Sequence, residues 1–329
     1  MKPLQYLINS RTLSAIEPLD KELSIPSQKN VFFDLSYLGV IKVQGVRAHE
    51  FLQGLLSCDV KGVNHQNIAQ GAQCQLQGRV LALMDIIQLD DESLYLILPK
   101  DLLHLTMDSL TKTALLSRVT LSDISPFKIL GLYHQNPNEA LPFKLKPNPT
   151  RLSMVSSEGC WCYHIGASLY VLVLDTEASH EVSVSRGSLA WLALKLQHGG
   201  IEIYPETRGV FLPQRLGLET SHYVSFNKGC YKGQEIIARM HYRSKPKHTM
   251  RLFTVQTEEP LYSGLRLFEP NTGNEIGELI DYCPYLQGTT LIAASILSNV
   301  PATCRVEGHT AAISLTSIPQ YKSGPPHES

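Results

Sequence analysis

Apolar and polar positions along this chain form mostly short runs, with a few longer runs at helical spacing. Short apolar or alternating runs bounded by turn residues are typical of strands, and repeats at three and four residues are typical of helices. The predicted strands are 40–43, 72–76, 80–89, 94–98, 128–133, 170–174 and 223–226. The predicted helices are 46–56, 101–117 with Asp101 as the candidate N-cap, 186–198 and 234–240.

From residue 247 onward the pattern consists of short alternating runs, at 250–255, 276–282 and 290–297. Regular spacing of such runs is typical of a small β-barrel or sandwich. The preceding part does not alternate strictly between strand and helix, so we expect an α+β fold. The predicted organisation is an irregular lead-in (1–30), an α+β region of two subdomains (31–246) with a Pro/Asn-rich loop at 134–159, a β-barrel module (247–316) and a disordered tail (317–329).

Composition narrows the classes of partner. The chain has 329 residues, 43% of them hydrophobic and 18% charged, and a net charge of -1. A near-neutral chain lacks the basic excess that binding along a phosphate backbone requires, so we expect no direct nucleic-acid contact. The sequence shows no signal-type apolar segment at its start and no run of about 20 apolar residues, which favours the cytoplasm and no membrane span.

Cysteine spacing gives little support for a metal site. The chain has seven cysteines, an odd number, scattered without a Cys-x-x-Cys pair, which is typical of a protein kept in a reducing compartment. Cys160 and Cys162 share one face if they lie on a strand. Structural zinc sites use wider spacings, so we expect packing there and predict no metal ligands.

One short run contains several residues that could react or bind a ligand. It reads Lys228-Gly229-Cys230-Tyr231-Lys232-Gly233-Gln234-Glu235 and is followed by Arg239. A cysteine just before a helix, beside two lysines, is in a setting that favours the reactive thiolate. The glycines allow a sharp turn and a close approach to a ligand. The alternative is that Cys230 is a small buried hydrophobe, as most cysteines are.

This run resembles the signature of the YgfZ family, Lys-Gly-Cys-Tyr-x-Gly-Gln-Glu followed by Arg. The similarity extends to 34–43, 45–60, 73–82, 196–200 and 211–218, and so to most of 32–300. The resemblance implies a folate-binding relative of the glycine-cleavage aminomethyltransferase that acts in iron–sulfur cluster assembly or repair, and through it in tRNA modification. It also implies a ring-like arrangement of folate-binding subdomains around a central channel, plus a C-terminal barrel.

The resemblance assigns roles to individual side chains. Cys230 is the predicted functional thiol, and the predicted folate contacts are Lys228, Tyr231, Gln234, Glu235, Arg239 and Gln197. Four of these contacts have a plainer alternative. Lys228 and Arg239 are then ordinary surface cations, Tyr231 a core residue and Glu235 a carboxylate at a helix N-terminus. His241 is a further candidate, as a base for Cys230, if the fold brings the two together.

Two positions depart from the aminomethyltransferase pattern. Those relatives carry an acid just after the turn matched here by 78–81, where this chain has Ala82-Leu83-Met84 and its first carboxylate is Asp85. Leucine neither accepts a proton nor orients an amine. A Glu that grips the pterin ring is replaced by Gln197, which hydrogen-bonds without charge. The transfer chemistry therefore looks lost, while a pterin pocket is expected to survive.

The leading interpretation is a monomeric, tetrahydrofolate-binding accessory protein whose partners are iron–sulfur cluster carriers or client enzymes. Whether it catalyses a reaction is left open. One alternative is a folate-dependent aminomethyl transferase, which needs a carboxylate at the position of Leu83. The other is a folate-free interaction scaffold, in which replacement of Cys230 has no effect.

Overall fold

The computed structural model describes residues 3–26, 28–124, 127–176, 182–243 and 247–319. The chain divides into two compact units. Unit 1 comprises Met1–Pro26, Arg186–Glu202 and Lys247–Ser329, and unit 2 comprises Ser27–Ser185 and Ile203–Pro246. Both units are therefore discontinuous in sequence.

The strands are β1 Leu4–Ile8, β2 Arg11–Ala15, β3 Val31–Asp34, β4 Leu38–Gln44, β5 Ala69–Cys74, β6 Val80–Asp90, β7 Ser93–Pro99, β8 Thr120–Ile124, β9 Phe127–Tyr133, β10 Met154–Ser157, β11 Cys160–Gly166, β12 Leu169–Asp175, β13 His248–Val255, β14 Arg266–Phe268, β15 Glu275–Pro284, β16 Thr290–Leu297, β17 Thr303–Val306, β18 Ala312–Ser314 and β19 Thr316–Ile318. The α-helices are α1 Leu19–Leu23, α2 Ala48–Gln53, α3 Lys100–Ala114, α4 Ser188–Gln197 and α5 Gln234–Arg243. Short 3₁₀ helices lie at Leu115–Ser117, Pro142–Lys144, Pro205–Thr207, Pro213–Leu216 and Leu286–Gly288. None of the described helices is long and apolar enough to cross a lipid bilayer.

Unit 1 is built around a curled seven-stranded sheet in the order β18-β17-β14-β15-β16-β13-β19. Helix α4 packs on this sheet against β15 and β16. Within the described residues no pairing joins the two outer strands, β18 and β19, so the predicted C-terminal barrel is a half-barrel. Strand β19 extends into the predicted disordered tail, whose remainder (320–329) lies outside the described residues.

Regular elements occupy much of the segment 4–23, which corrects the irregular lead-in predicted for 1–30. Strands β1 and β2 form an antiparallel hairpin. Alternate residues of β2, among them Leu13 and Ala15, are fully buried, and β2 packs on α4. The prediction failed because the prolines and serines of this segment are typical of turns. In addition, a strand of five residues is too short to show its alternation clearly.

Unit 2 contains two antiparallel five-stranded sheets, β10-β11-β12-β9-β3 and β5-β6-β7-β4-β8. Their strands are rich in buried β-branched and leucine residues, the composition expected of strands covered on both faces. Strands β5 and β6 form the predicted hairpin, and its turn contains Gly78 at φ +75°. The Pro/Asn-rich segment at 134–159 is largely irregular but includes β10.

Two local predictions in unit 2 are wrong. Residues 223–226 do not form a strand, because their backbone bonds go to Ser57: Ser225 N donates to Ser57 O at 2.9 Å, and Ser57 Oγ donates to Tyr223 O at 2.6 Å. Helix α3 begins after Pro99, and Asp101 lies in its first turn rather than at the N-cap. Proline fixes the backbone angle at the helix start without any capping side chain.

Both strands and helices are present and strands predominate, in keeping with the α+β prediction. The ring-like arrangement of subdomains stays a prediction. Helix α4, predicted within the folate-binding region 31–246, belongs instead with the C-terminal strands in unit 1. The order of elements along the chain does not predict that α4 belongs to unit 1, because α4 packs against strands that are distant from it in sequence.

Candidate functional site

The signature loop, residues 228–233, lies in unit 2 between the irregular segment ending at Asn227 and helix α5. The loop is held by hydrogen bonds from Lys228 and Lys232 and by the close packing of Gly233 on the β5–β6 turn. These leave Gly229 and Cys230 exposed while Lys228, Tyr231 and Gly233 are buried. The loop therefore presents one thiol from a fixed backbone.

Lys228 anchors the start of the loop. Its side chain is 9% exposed, and Nζ donates to the carbonyl oxygens of Gln53, Leu56 and Cys58, each at 2.7 Å. These carbonyls lie at or just beyond the end of α2, where backbone acceptors lack helical partners. The ammonium is thus occupied by the protein's own backbone, which corrects its predicted role as a partner of folate carboxylates or of the thiolate.

Burial lowers the pKa of Lys228 from 10.5 to about 8, opposed by the nearby Cys58 and Asp59. Between pH 8 and 10.5 the unfolded chain therefore binds a proton at this position that the folded chain has released. Stability rises with pH wherever the unfolded state binds more protons. We expect the free energy of unfolding of the wild type to rise across this window relative to Lys228→Met, measured by urea unfolding; parallel pH curves for the two proteins would contradict the shift.

Tyr231 and Gln234 brace the middle of the loop. Tyr231 is 7% exposed, and its ring lies 5.0 Å from Lys228 Nζ, within the range of a cation–π contact. Its buried hydroxyl has no hydrogen-bond partner among the described residues, and burial raises its pKa. Gln234 Oε1 accepts from Tyr231 N at 3.2 Å. Tyr231 is therefore a packing residue, and the carbonyl of Gln234 serves the loop itself.

The end of the loop sits directly on the β5–β6 turn. Gly233 has φ +86°, and a Cβ there would lie 2.4 Å from the backbone oxygen of Gln75. From the other side, a Cβ on Gly78 would lie 3.2 Å from Ile236 of α5. Lys232 N donates to Gly54 O at 3.1 Å. The glycine is required here by the close approach of two backbones, rather than by a ligand.

Cys230 is the exposed thiol, whereas the other six cysteines are buried. Burial raises the pKa of both Cys58 and Cys74 to about 12. Cys160 and Cys162 share one face of β11 and pack in a core with Leu130 and other apolar residues. Among the described residues, no group of three metal-binding side chains is present. The Cys160–Cys162 pair therefore lies in an apolar core.

This distribution predicts the outcome of thiol labelling. Since the thiolate is the reactive form and must be accessible, we expect one fast-reacting thiol in the native protein and seven after unfolding. Ellman's reagent under native and denaturing conditions measures both. Cys230→Ser should remove the fast phase, and a second fast thiol in that variant would show that the buried set is wrongly assigned.

Glu235 and Arg239 lie on the exposed side of α5. Neither side chain has an ion-pair partner among the described residues, so both are available to a ligand. Glu235 also lies in the first turn of α5, where a carboxylate stabilises the helix in any case. Their predicted folate contacts stay predictions.

His241 is engaged away from the signature loop. Its ring stacks on Phe226 with centroids 3.8 Å apart, and Nδ1 lies 3.3 Å from Glu219 Oε2. Within the described part of the chain, no hydrogen bond joins His241 to Cys230. The nucleophile–base pair considered from sequence is therefore not what the fold assembles.

Gln197 lies at the end of α4 in unit 1. Its Nε2 donates to the hydroxyl of Tyr285 at 2.8 Å. The amide is thus held by a neighbour in its own unit, with its oxygen left as the acceptor. Its role as a folate contact stays a prediction.

Leu83 and Asp85 occupy different environments on β6. Leu83 is 9% exposed and lies opposite Ala72 of β5. The oxygens of Asp85 accept hydrogen bonds from Gln70 Nε2 and from the Tyr163 hydroxyl, both at 2.9 Å. The first carboxylate after the turn is thus held within the protein and does not replace the missing acid.

Asp85 belongs to a polar cluster that sequence reasoning missed; its members are Gln70, Asp85, Arg151, Tyr163 and Tyr223. Arg151 Nη2 donates to Gln70 Oε1 at 3.2 Å, and Gln70 Nε2 also lies 3.1 Å from the Tyr223 hydroxyl. Burial lowers the pKa of Arg151, opposed by the nearby Tyr223 and Asp85. The sequence could have indicated part of this cluster, because Gln70 and Asp85 lie on the two strands of a predicted hairpin. No pattern in the Pro/Asn-rich segment indicated Arg151.

Comparisons with known proteins agree with the signature. No family model matches the chain. An uncharacterised protein from Haemophilus influenzae is 30% identical over 229 residues, covering 69% of this chain and 75% of its own length. A protein named tRNA-modifying protein YgfZ from Colwellia psychrerythraea is 25% identical over 299 residues, covering 88% and 91%.

The structure resembles a solved relative over nearly its full length. The glycine cleavage system aminomethyltransferase T from Bartonella henselae matches with a TM-score of 0.74 at 18% identity, covering 98% of this chain and 95% of that chain. At this identity the likeness establishes the fold alone. Together with the signature loop and the curated relatives, it shows that this chain belongs to the YgfZ family, which is related to the glycine-cleavage aminomethyltransferase.

Proposed function

We propose that this protein binds a reduced folate and supports the assembly or repair of iron–sulfur enzymes in the cytoplasm, among them enzymes that modify tRNA. The observation that carries the proposal is the exposed thiol of Cys230 on a loop whose neighbouring residues are anchored. Relatives named for tRNA modification and the aminomethyltransferase fold support it. The net charge of -1 favours an indirect link to tRNA.

The thiol complement limits how a cluster can be handled. Iron–sulfur clusters are commonly held by four thiolates, and this chain exposes one, with six buried. The protein is therefore proposed to act on clusters carried by a partner. Cys230 would contribute one ligand during such an encounter, or its thiolate would attack the outer sulfur of a partner's persulfide and release the partner's thiolate.

The exposed residues fit part of a folate. A folate tail carries carboxylates, and Arg239 offers a guanidinium suited to them. Lys228 is not available, because its ammonium is held by three carbonyls. Aminomethyl transfer is disfavoured, since Leu83 stands at the position of the acid and Asp85 is engaged by Gln70 and Tyr163. We therefore propose folate as a bound ligand, without turnover.

Calorimetric titration with tetrahydrofolate under reducing conditions tests the proposal. We expect micromolar binding by the wild type and about tenfold weaker binding by Arg239→Met, since a hydrogen bond to a charged group is worth about 1.5 kcal/mol. Arg243→Met, one turn further along the exposed face of α5, is the matched control and should bind like the wild type. No binding by the wild type would favour the folate-free scaffold.

A further inference from the structure

We propose that a groove beside the signature loop docks an acidic, amphipathic helix of a partner protein. The groove lies between α2 and the end of α3 and has a volume of about 220 Å³. It is lined by Arg47, Phe51, Gly54, Leu55, Thr113 and Ser117. We call it the α2–α3 groove. The proposal rests on the accessory role above only in naming the site where a client or carrier would dock.

The rim of the groove is apolar and exposed. Leu115 and Leu116 are 85% and 82% exposed, and they lie between the groove residues Thr113 and Ser117. Val46, next to Arg47, is fully exposed. Single exposed apolar residues are normal, but a group of them around a concavity marks an interaction site.

The fold explains why these leucines are exposed. Helix α3 buries Leu102, Thr106, Leu110 and Ala114, one stripe at intervals of four residues. The next two positions turn away from that stripe, within a 3₁₀ turn that ends at Arg118 in the left-handed conformation. The core therefore fixes the leucines on the solvent side.

Val46 and the leucine pair lie on adjoining segments. A Cβ on Gly45 would lie 2.8 Å from the backbone oxygen of Arg118, so the turn before α2 touches the turn after α3. This contact brings the apolar residues at the two ends of the groove onto one surface.

The charge of the rim selects the partner. Lys112 and Arg118 flank the leucine pair. Both are exposed, and neither side chain has a hydrogen-bond or ion-pair partner among the described residues. Lys232 is a further cation, in the loop whose backbone contacts Gly54 of the groove wall. The carboxylate in the groove wall, Glu50, is already paired with Arg47 at 2.8 Å. A rim that carries exposed apolar side chains flanked by cations complements a helix with apolar anchors and acidic flanks.

The shape of the surface favours a protein over a membrane. A bilayer presents a flat face, whereas this surface is a groove into which side chains can insert. The exposed leucines on its rim also disfavour nucleic acid, whose recognition is largely polar.

The groove is directly connected to the thiol-bearing loop. Lys232 N donates to Gly54 O, in the groove wall, at 3.1 Å. Cys230 lies two residues before Lys232, and two residues span at most about 7 Å. A partner seated in the groove would therefore place its own ligands or sulfur within reach of Cys230.

Site-specific photo-crosslinking tests the proposal. The full chain, with p-benzoylphenylalanine at position 116, is irradiated in cells, and the crosslinked segment is identified by mass spectrometry. The control carries the same probe at position 7, where Leu7 of unit 1 is 66% exposed. An acid-rich helical segment of another protein, crosslinked at 116 and not at 7, is the expected result. Adducts with lipid or with a second copy of this chain, or none above the control, would overturn the proposal.

A functional variant distinguishes this proposal from the folate proposal. Leu115→Ser combined with Leu116→Ser should lower the restored tRNA modification in a strain lacking the protein at least tenfold, as should Lys112→Glu with Arg118→Glu. Leu7→Ser should have no effect. Tetrahydrofolate binding and the unfolding midpoint should be unchanged in all of them. If the wild type does not bind folate but the crosslink at position 116 persists, the docking proposal is supported and the folate proposal is contradicted. Full restored tRNA modification in both double variants would contradict the docking proposal.

Discussion

Replacing Cys230 with serine is expected to abolish support of iron–sulfur-dependent tRNA modification while leaving the fold and folate affinity unchanged. The side chain is exposed, so the nearly isosteric hydroxyl removes no packing. What disappears is the thiolate, which a serine cannot supply at neutral pH and which is needed to ligate a cluster or accept sulfur.

The measurement is the level of the modified nucleoside in tRNA from a strain that lacks the protein, complemented with each variant. Gly229→Ala is the matched control, since a Cβ there meets nothing within 4 Å and the residue adjoins Cys230. Urea unfolding and tetrahydrofolate titration of the purified variants show whether fold and ligand binding are preserved. Wild-type modification levels with Cys230→Ser would contradict the proposed thiol role and favour the scaffold.

Gly233→Ala should destabilise unit 2 by about 3 kcal/mol, toward the upper end of single-substitution effects. The added Cβ would lie 2.4 Å from a backbone oxygen of the β5–β6 turn, and the residue has φ +86°. A left-handed backbone alone costs a non-glycine residue about 1 kcal/mol or more. The clash adds to that cost, because backbone cannot move aside as a flexible side chain does.

The change is measured as a shift of the urea midpoint, with Gly229→Ala again as the control. That control should lie within about 0.5 kcal/mol of the wild type, as surface substitutions usually do. The Gly233→Ala protein should also present Cys230 less uniformly, seen as a spread in its labelling rate. Equal stability of the two alanine variants would show that the loop is not seated on the hairpin turn.

The two substitutions test different roles within the loop: Cys230 is the proposed functional thiol, and Gly233 is one of the residues that hold the backbone in place. Lys228, Tyr231 and Gly233 are buried and fix the backbone, and Cys230 projects from it. The resemblance alone could not distinguish these roles, because a sequence signature does not show which of its residues are buried and which are exposed. Burial distinguishes the lysine that satisfies three carbonyls from the arginine on α5 that has an exposed side chain.

The elements that followed from local pattern were the long or strongly apolar ones. Strand β16 was predicted with the bounds that the structure has, 290–297, and β4, β6, β7 and β9 were predicted within a few residues. Those strands contain enough consecutive apolar residues for the sequence pattern to predict that they are buried strands. The hairpin β1–β2 and the irregular course of 223–226 were missed, because short segments are decided by partners distant in the chain.

The sequence by itself determined the family, through a signature of residue types at fixed spacing, and located the candidate thiol within it. It also showed the loss of the acid at Leu83, since a residue type can be read without coordinates. The tertiary structure alone decided that Lys228 faces backbone carbonyls, that Asp85 and Arg151 join one polar cluster, and that Leu115 and Leu116 rim a groove. Each of these depends on contacts between segments tens to hundreds of residues apart, and such contacts are set by packing of the whole chain rather than by its local pattern.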